Sequence, residues 1–307
     1  MSPAIVVGYD GTEHGDDALA LGRLLAGLAG AELVVACAYP DDPLGESAAA
    51  HEAARELRED AERRVERAQA WLGGGGAAGG AVGAAAGVSL RALPGASPSQ
   101  VLHDLAEELH AQAIVVGATH HGRALRLLAG STPEEVLNHA PCPVAVAPDG
   151  FRDAHLSAGG VRQVAVAFDG SPESRHALEI AAAYARAAGA RLRLVTAVNS
   201  AAAGVYPPPP LDVAAYEELG EIARGQARER LDEAIAALGS EGLAVEGAVL
   251  DGDIVGSLLE DAKGDDLLFT GSRAQGPFRR VLVGSVSTHL LRDAPCPVVI
   301  VPRGAPA

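Results

Sequence analysis

Two aspartates stand directly after short β-rich runs, each followed by glycine and a hydroxyl residue: Asp10-Gly11-Thr12 and Asp169-Gly170-Ser171. Further on, Gly117 and Gly271 each close another such run, and Gly130-Ser131-Thr132 and Gly284-Ser285-Val286-Ser287 stand at the mouth of a helical segment. A glycine-lined turn feeding a helix N-terminus presents unpaired N–H groups and the positive end of the helix dipole, a combination that suits a phosphate. A carboxylate at a neighbouring strand end suits ribose hydroxyls. Each residue also has a plainer reading, the aspartates as turn or capping residues and the glycines as punctuation. Recurrence of the whole set shifts the balance toward a shared pocket, although inherited scaffold recurs in the same way.

Other chemistries find little support. Lys263 is the only lysine and no Gly-x-x-x-x-Gly-Lys-Ser/Thr run exists, so phosphate charge must be met by backbone amides, arginine or a metal. Arg273, Arg279 and Arg280 lie in the candidate loop of the second set and Arg123 and Arg126 in that of the first, positions where arginine is also commonly a solvated surface residue. The histidines and cysteines lack metal-ligand spacing, so no metal site is expected from the protein alone. His120-His121-Gly122 does not match a His-x-Gly-His transferase signature and reads as exposed loop. No nucleophile, base and orienting acid assemble from the sequence, and no catalytic residue is assigned. Cys37, Cys142 and Cys296 lie in or beside apolar runs and read as packed core thiols.

These residues are positioned by a duplicated unit. Val115-Val116-Gly117, Gly130-Ser131 and Ala140-Pro141-Cys142-Pro143-Val144 return 154 positions later as Phe269-Thr270-Gly271, Gly284-Ser285 and Ala294-Pro295-Cys296-Pro297-Val298. The 307 residues therefore form two tandem domains, 1–149 and 161–307, with 150–160 as linker. In each copy short apolar runs alternate with long segments of helical period, the pattern of a parallel sheet with helices on both faces. Strands are expected near 4–8, 32–38, 88–93, 112–117 and 143–147, and helices near 13–29, 46–72, 98–110 and 132–139. The second copy places strands near 162–167, 191–198, 243–249, 266–271 and 297–301, and helices near 172–188, 212–239, 254–263 and 286–292. Ser97-Pro98-Ser99-Gln100 and Thr132-Pro133-Glu134-Glu135 both fit a capping box with proline at the first helical position. Gly73 to Gly87 reads as a flexible loop, and Pro207 to Pro210 as a stiffer counterpart.

The formal charge of −16 argues against a nucleic-acid backbone or an anionic membrane surface as a general partner. No apolar run approaches the roughly 20 residues of a membrane helix, and no charged region or cleavage site precedes the first strand, so a cytoplasmic address is expected.

At its glycine loops the chain resembles a tandem-domain universal stress protein. Nucleotide-binding members carry Gly-x-x-Gly, nine residues, then Gly-Ser/Thr after the fourth strand; the resemblance also takes in the Asp-Gly-Ser/Thr opening and the Ala-Pro-Cys-Pro-Val lead into the last strand. It implies an α/β, Rossmann-like fold: two doubly wound parallel five-stranded sheets of order 3-2-1-4-5, related by a pseudo-two-fold axis, with last strands paired. It further implies ATP, with or without Mg2+, across the carboxyl edge of the sheet. Asp10 and Asp169 would then meet ribose or adenine, Ala38 and Ala197 would offer backbone to the base, and the glycine-serine pairs would hold phosphates.

Both copies depart from the family pattern where the second glycine is expected, at His120 and Ala274. A side chain there costs on the order of 1 kcal/mol if positive φ or close backbone approach is needed, and alanine is the milder change. Glu134 and Glu135 also add negative charge to the helix turn that should attract phosphate, whereas Gly284-Ser285-Val286-Ser287-Thr288-His289 carries no acid. Copy two is thus the expected better site. The leading expectation is a nucleotide-binding stress-response protein, homo-oligomeric or an intrachain pseudo-dimer, in which ATP biases domain pairing or partner contacts with slow or no hydrolysis. The rival is a nucleotide-free interaction scaffold of the same fold; an ATP-using transferase or hydrolase comes third, because fold does not confer chemistry.

Overall fold

In the computed structural model, residues 3–41, 48–74, 85–118, 132–153, 160–199, 213–239, 242–272 and 285–302 are described. The chain divides into two compact units, with the main break between Gly160 and Val161. The first contains β1 (Ala4–Gly8), α1 (Glu13–Ala29), β2 (Glu32–Pro40), α2 (Ala48–Gly73), β3 (Gly87–Gly95), α3 (Pro98–Leu109), β4 (Ala113–Gly117), α4 (Thr132–His139) and β5 (Val144–Ala147). The second contains β6 (Gln163–Ala167), α5 (Pro172–Ala188), β7 (Arg191–Val198), α6 (Val213–Leu238), β8 (Val245–Asp251), α7 (Ile254–Asp261), β9 (Leu267–Gly271), α8 (Ser285–Asp293) and β10 (Val298–Val301). Within the first unit the strands run parallel in the order β3-β2-β1-β4-β5, and within the second β8-β7-β6-β9-β10, so each unit has the expected order 3-2-1-4-5.

Burial follows from that order. The central strands β1 and β4 are apolar and buried along almost their whole length because helices cover both faces, while the outer strands β3 and β8 are only half-buried and tolerate Ser89, Arg91 and Glu246. Two leftward crossovers bring α1 and α2 together on one face, and two in the opposite direction bring α3 and α4 together on the other. Gly22 lets α1 lie close on β1, since a Cβ there would come 2.3 Å from Val7 Cγ2.

Helix starts obey the capping signals. Ser97 accepts the Gln100 N–H with Pro98 in the first turn of α3, and Thr12, Ser171 and Asp253 cap α1, α5 and α7 in the same way. For α4 the helix begins at Thr132 itself, whose side chain lies outside the described residues. The core of the glycine-alanine stretch, 75–84, and the Pro207 to Pro210 run also lie outside them.

The start of the stretch expected as linker is tied down. Residues 151–153 form a 3-10 turn with Phe151 buried, and Arg152 binds Asp17 and Glu13 of α1. All three cysteines are free and buried, and burial pushes each thiol up to about 12, so they are packed rather than reactive groups. No described helix is long and apolar enough to cross a membrane.

One polar cluster distinguishes the second unit. Arg193 on β7 bonds Asp261 and Asp265, and Gln163 at the start of β6 donates to Asp265 at 2.8 Å. Burial, the largest influence, raises the Asp265 carboxyl above its ordinary value against the opposing pull of Gln163 and Arg193. At the matching places the first unit has Ala4, Val34 and Ala111, all buried. Duplication has thus solved one packing problem twice, with ions and with hydrocarbon. Removing one partner of a buried pair strands the other, whereas replacing the whole set by apolar groups is near neutral. Asp265→Ala should therefore lower unfolding free energy by about 3 kcal/mol in urea titration. The quadruple change Gln163→Ala, Arg193→Val, Asp261→Asn, Asp265→Ala, which also relieves the Arg193 partner Asp261 of its charge, should recover most of that loss, and a quadruple variant no better than the single one contradicts the assignment.

Candidate functional site

The Asp-Gly-Thr/Ser turns sit at the carboxyl ends of β1 and β6. Asp10 Oδ1 accepts the Thr12 N–H at 2.9 Å and its hydroxyl at 2.6 Å, and Asp169 Oδ1 accepts the Ser171 N–H at 2.9 Å. Gly11 and Gly170 take φ of +80° and +79°, which explains the glycine between aspartate and hydroxyl residue. The hydroxyls of Thr12 and Ser171 then cap the following helix by accepting from Gly15 and Ser174. Both aspartates therefore perform the turn-forming task, and in Asp10 this engages Oδ1 alone.

The glycines ending β4 and β9 have a steric task. A Cβ on Gly117 would stand 2.1 Å from the carbonyl oxygen of His14, and one on Gly271 would stand 2.5 Å from the carbonyl carbon of Glu173. The first turn of α1 or α5 thus rests directly on the backbone at the end of the fourth strand of its unit. Sequence reasoning weighed these glycines as ligand contacts or as punctuation; the structure gives them a further task, to admit a helix.

Strand registers bring the expected residues to one edge. Gly8 pairs with Ala36 and Val7 with Val115, so Asp10, Ala38 and Gly117 extend from the carboxyl ends of three adjacent strands, and all three line one cleft. His14, Arg64 and Leu102 complete its wall. The cleft encloses about 120 Å3, less than the roughly 300 Å3 of a pocket surrounding a whole small ligand. In the second unit the equivalent registers set Asp169, Ala197 and Gly271 at the ends of β6, β7 and β9.

The segments expected to hold phosphate fall partly outside the described residues, which exclude Gly130, Ser131, Arg273 and Gly284 together with His120, Ala274 and the loop arginines. Thr132 and Ser285 open α4 and α8, without described side chains. Beyond Ser285, Val286 is half-buried and Ser287 buried. The first turn of α4 carries Glu134 and Glu135, whereas that of α8 has no acid.

Two further groups sit beside the first cleft. Tyr9 is buried and donates its hydroxyl to Asp16 at 2.9 Å; burial and that carboxylate push the phenol well above its ordinary value, fixing it as a donor. The ligating atoms of His14, Asp17 and Asp149 lie within 4.8 Å of one another. Asp17 already accepts the N–H groups of Gly150 and Arg152 and the Arg152 guanidinium, so this trio is accounted for as the anchor of the 3-10 turn.

Arg64 was missed by sequence reasoning, as was its counterpart Arg230. They occupy the inner face of the second helix of each unit, between buried alanines at matching spacing: Ala61 and Ala68 in α2, Ala227 and Ala234 in α6. Their stems lie over the Asp-Gly turns, for a Cβ on Gly11 would meet Arg64 Cγ at 3.2 Å and one on Gly170 would meet Arg230 Cδ at 3.0 Å. The alignment of α2 with α6 was the available signal.

Comparison with known proteins agrees with this fold. The profile of the universal stress protein family matches residues 1–148 and 160–302. A universal stress protein of Mycobacterium tuberculosis is 30% identical over 212 residues, covering 67% of this chain and 69% of that protein. Another from Thermus aquaticus is 31% identical over 148 residues, 46% of this chain and 98% of that protein. Among solved structures, a universal stress protein from Archaeoglobus fulgidus superposes with a TM-score of 0.66 at 20% identity, covering 98% of this chain and 96% of that one, which supports the fold.

The steric role of the fourth-strand glycines is directly testable. Gly117→Ala and Gly271→Ala should each destabilise the protein by about 1–3 kcal/mol in urea unfolding without any ligand, as expected for overpacking a tight contact. Unchanged midpoints would return these glycines to a ligand-only role.

Proposed function

The chain belongs to the universal stress protein family, and on that premise we propose that it binds an adenine nucleotide, ATP first among them, at the carboxyl edge of its sheets. The observation that carries this reading is the convergence of Asp10, Ala38 and Gly117 on one cleft, repeated in register by Asp169, Ala197 and Gly271. The residues fit such a ligand. Asp10 keeps Oδ2 for a ribose hydroxyl, Ala36, Ala38 and Leu102 give apolar surface to a base, and the cleft holds an arginine. Phosphates belong at the start of the fourth helix, where the N–H groups of its first turn, from Thr132 or Ser285 onward, supply donors. Any Mg2+ rides on those phosphates.

The two sites differ. Unit 1 has His14 on the cleft wall where unit 2 has Glu173, yet its fourth helix opens with two glutamates. Charge closest to the phosphates weighs most, because a helix dipole acts within one turn. The second unit is the stronger site on this account, with Ser285 at its centre. Binding acts by biasing the pairing of units or of chains, with little turnover, in a cytoplasmic stress response.

A nucleotide-free scaffold is the second reading, favoured by the structural tasks of Asp10, Asp169, Gly117 and Gly271, none of which needs a ligand. Mass spectrometry of the protein as purified separates the two: a retained adenine nucleotide supports binding, and saturating ATP without a thermal shift supports the scaffold. By calorimetry, Gly284→Glu should weaken ATP binding by at least about tenfold and Gly130→Glu by much less, since the former puts a charge where unit 2 now has none. Equal losses would contradict the ranking, and brisk metal-dependent ATP cleavage would overturn the non-enzymatic role.

A further inference from the structure

In a chain with a formal charge of −16 and one lysine, arginine is the main side chain that can lend positive charge to an anionic ligand. Both units place an arginine over the Asp-Gly turn, from the same position of the same helix and flanked by the same buried alanines. We propose that Arg230, and more weakly Arg64, is the charge-selecting residue of its cleft, making each site specific for a phosphorylated adenosine over the free nucleoside. This inference rests on the nucleotide reading above and identifies what enforces the ligand's charge.

The two arginines are not equally available. Arg64 lines the first cleft, but its guanidinium is paired with Asp60 one turn earlier on α2. At the matching position α6 has the neutral Gln226. Among the described residues no carboxylate lies within ion-pair distance of Arg230, and its Nε is buried without a hydrogen-bond partner. The residue as a whole is half-buried, with its stem held 3.0 Å from where a Cβ on Gly170 would be. A buried, unsatisfied guanidinium nitrogen is an unusual state for a side chain with five donors, and a bound anion relieves it. A carboxylate that already neutralises Arg64 makes that residue a weaker partner for phosphate, because ligand and Asp60 compete for one charge. The same ranking of the two units therefore emerges from α6 as from the first turn of α8, by an independent route.

Two variants test this in the full chain. Arg230→Met keeps the stem over Gly170 and removes the charge; Gln226→Asp keeps the arginine and gives it the partner that Arg64 has. Adenosine, AMP and ATP are titrated by calorimetry. Both variants should weaken AMP and ATP by about tenfold, the loss of one charge-assisted contact, and leave adenosine within about twofold. Conversely, Asp60→Gln should strengthen AMP binding in the first unit. Equal weakening of adenosine and AMP in Arg230→Met, or no change of AMP affinity in either variant, overturns the inference while leaving nucleotide binding intact. Inorganic pyrophosphate serves as an adenine-independent probe. A wild-type chain that binds pyrophosphate but no adenine compound overturns the nucleotide reading alone, provided Arg230→Met abolishes the pyrophosphate signal; pyrophosphate binding that survives the substitution overturns the role of Arg230.

Discussion

The contact between the first turn of the first helix and the last residue of the fourth strand governs the rest of each unit. Gly117 lies under the His14 carbonyl and Gly271 under that of Glu173, closer than any side chain allows. This approach fixes where the helix starts, hence where Thr12 and Ser171 must cap it, hence why a tight Asp-Gly turn with positive φ precedes the cap. A strand, a turn and a helix are thereby locked into one edge structure. The space left between that edge, the end of β2 and the inner face of α2 is the cleft.

Given that scaffold, several differences between the units are electrostatic. Tyr9, Asp16 and Arg67 in the first unit form a hydrogen bond and a loose ion pair; the matching residues are Phe168, Arg175 and Glu233, and Arg175 instead donates to the Gly170 carbonyl. The cluster of Gln163, Arg193 and Asp265 has alanine, valine and alanine as its counterpart. Asp60 pairs Arg64, whereas Gln226 stands at the matching place and no carboxylate among the described residues pairs Arg230. Changes of this kind leave the strand order intact, since both units keep the order 3-2-1-4-5. They alter what each edge attracts. Two copies of one frame can therefore have unequal affinities without any difference in fold.

Much of this frame was legible in the sequence. The apolar runs at Ile5 to Val7 and Ile114 to Val116 are buried on both faces, so they read as continuous hydrophobic strands, and Ser97-Pro98 announced a helix start through a local hydrogen bond. Such signals are short-range and survive translation into one dimension. Arg64 was not legible, because its place over Gly11 depends on the phase of a helix more than 50 residues away. The Arg152 to Asp17 contact was hidden for the same reason, being made between residues 135 apart in what otherwise reads as a linker. Gly117 was recognised by its place at the end of a strand and its recurrence as Gly271, but the close approach of the His14 carbonyl, a contact between residues far apart in the chain, had no signal in the sequence.

The central claim is that the carboxyl edge of the second unit receives an adenine nucleotide between Asp169 and the amides opening α8. A crystal structure of the full chain grown with ATP tests it most directly. The account predicts ribose against Asp169, phosphates on the N–H groups around Ser285, and the Arg230 guanidinium turned to the phosphate chain. An edge without nucleotide at saturating ATP, its amides bonded within the protein and its cradle filled by side chains, would contradict it.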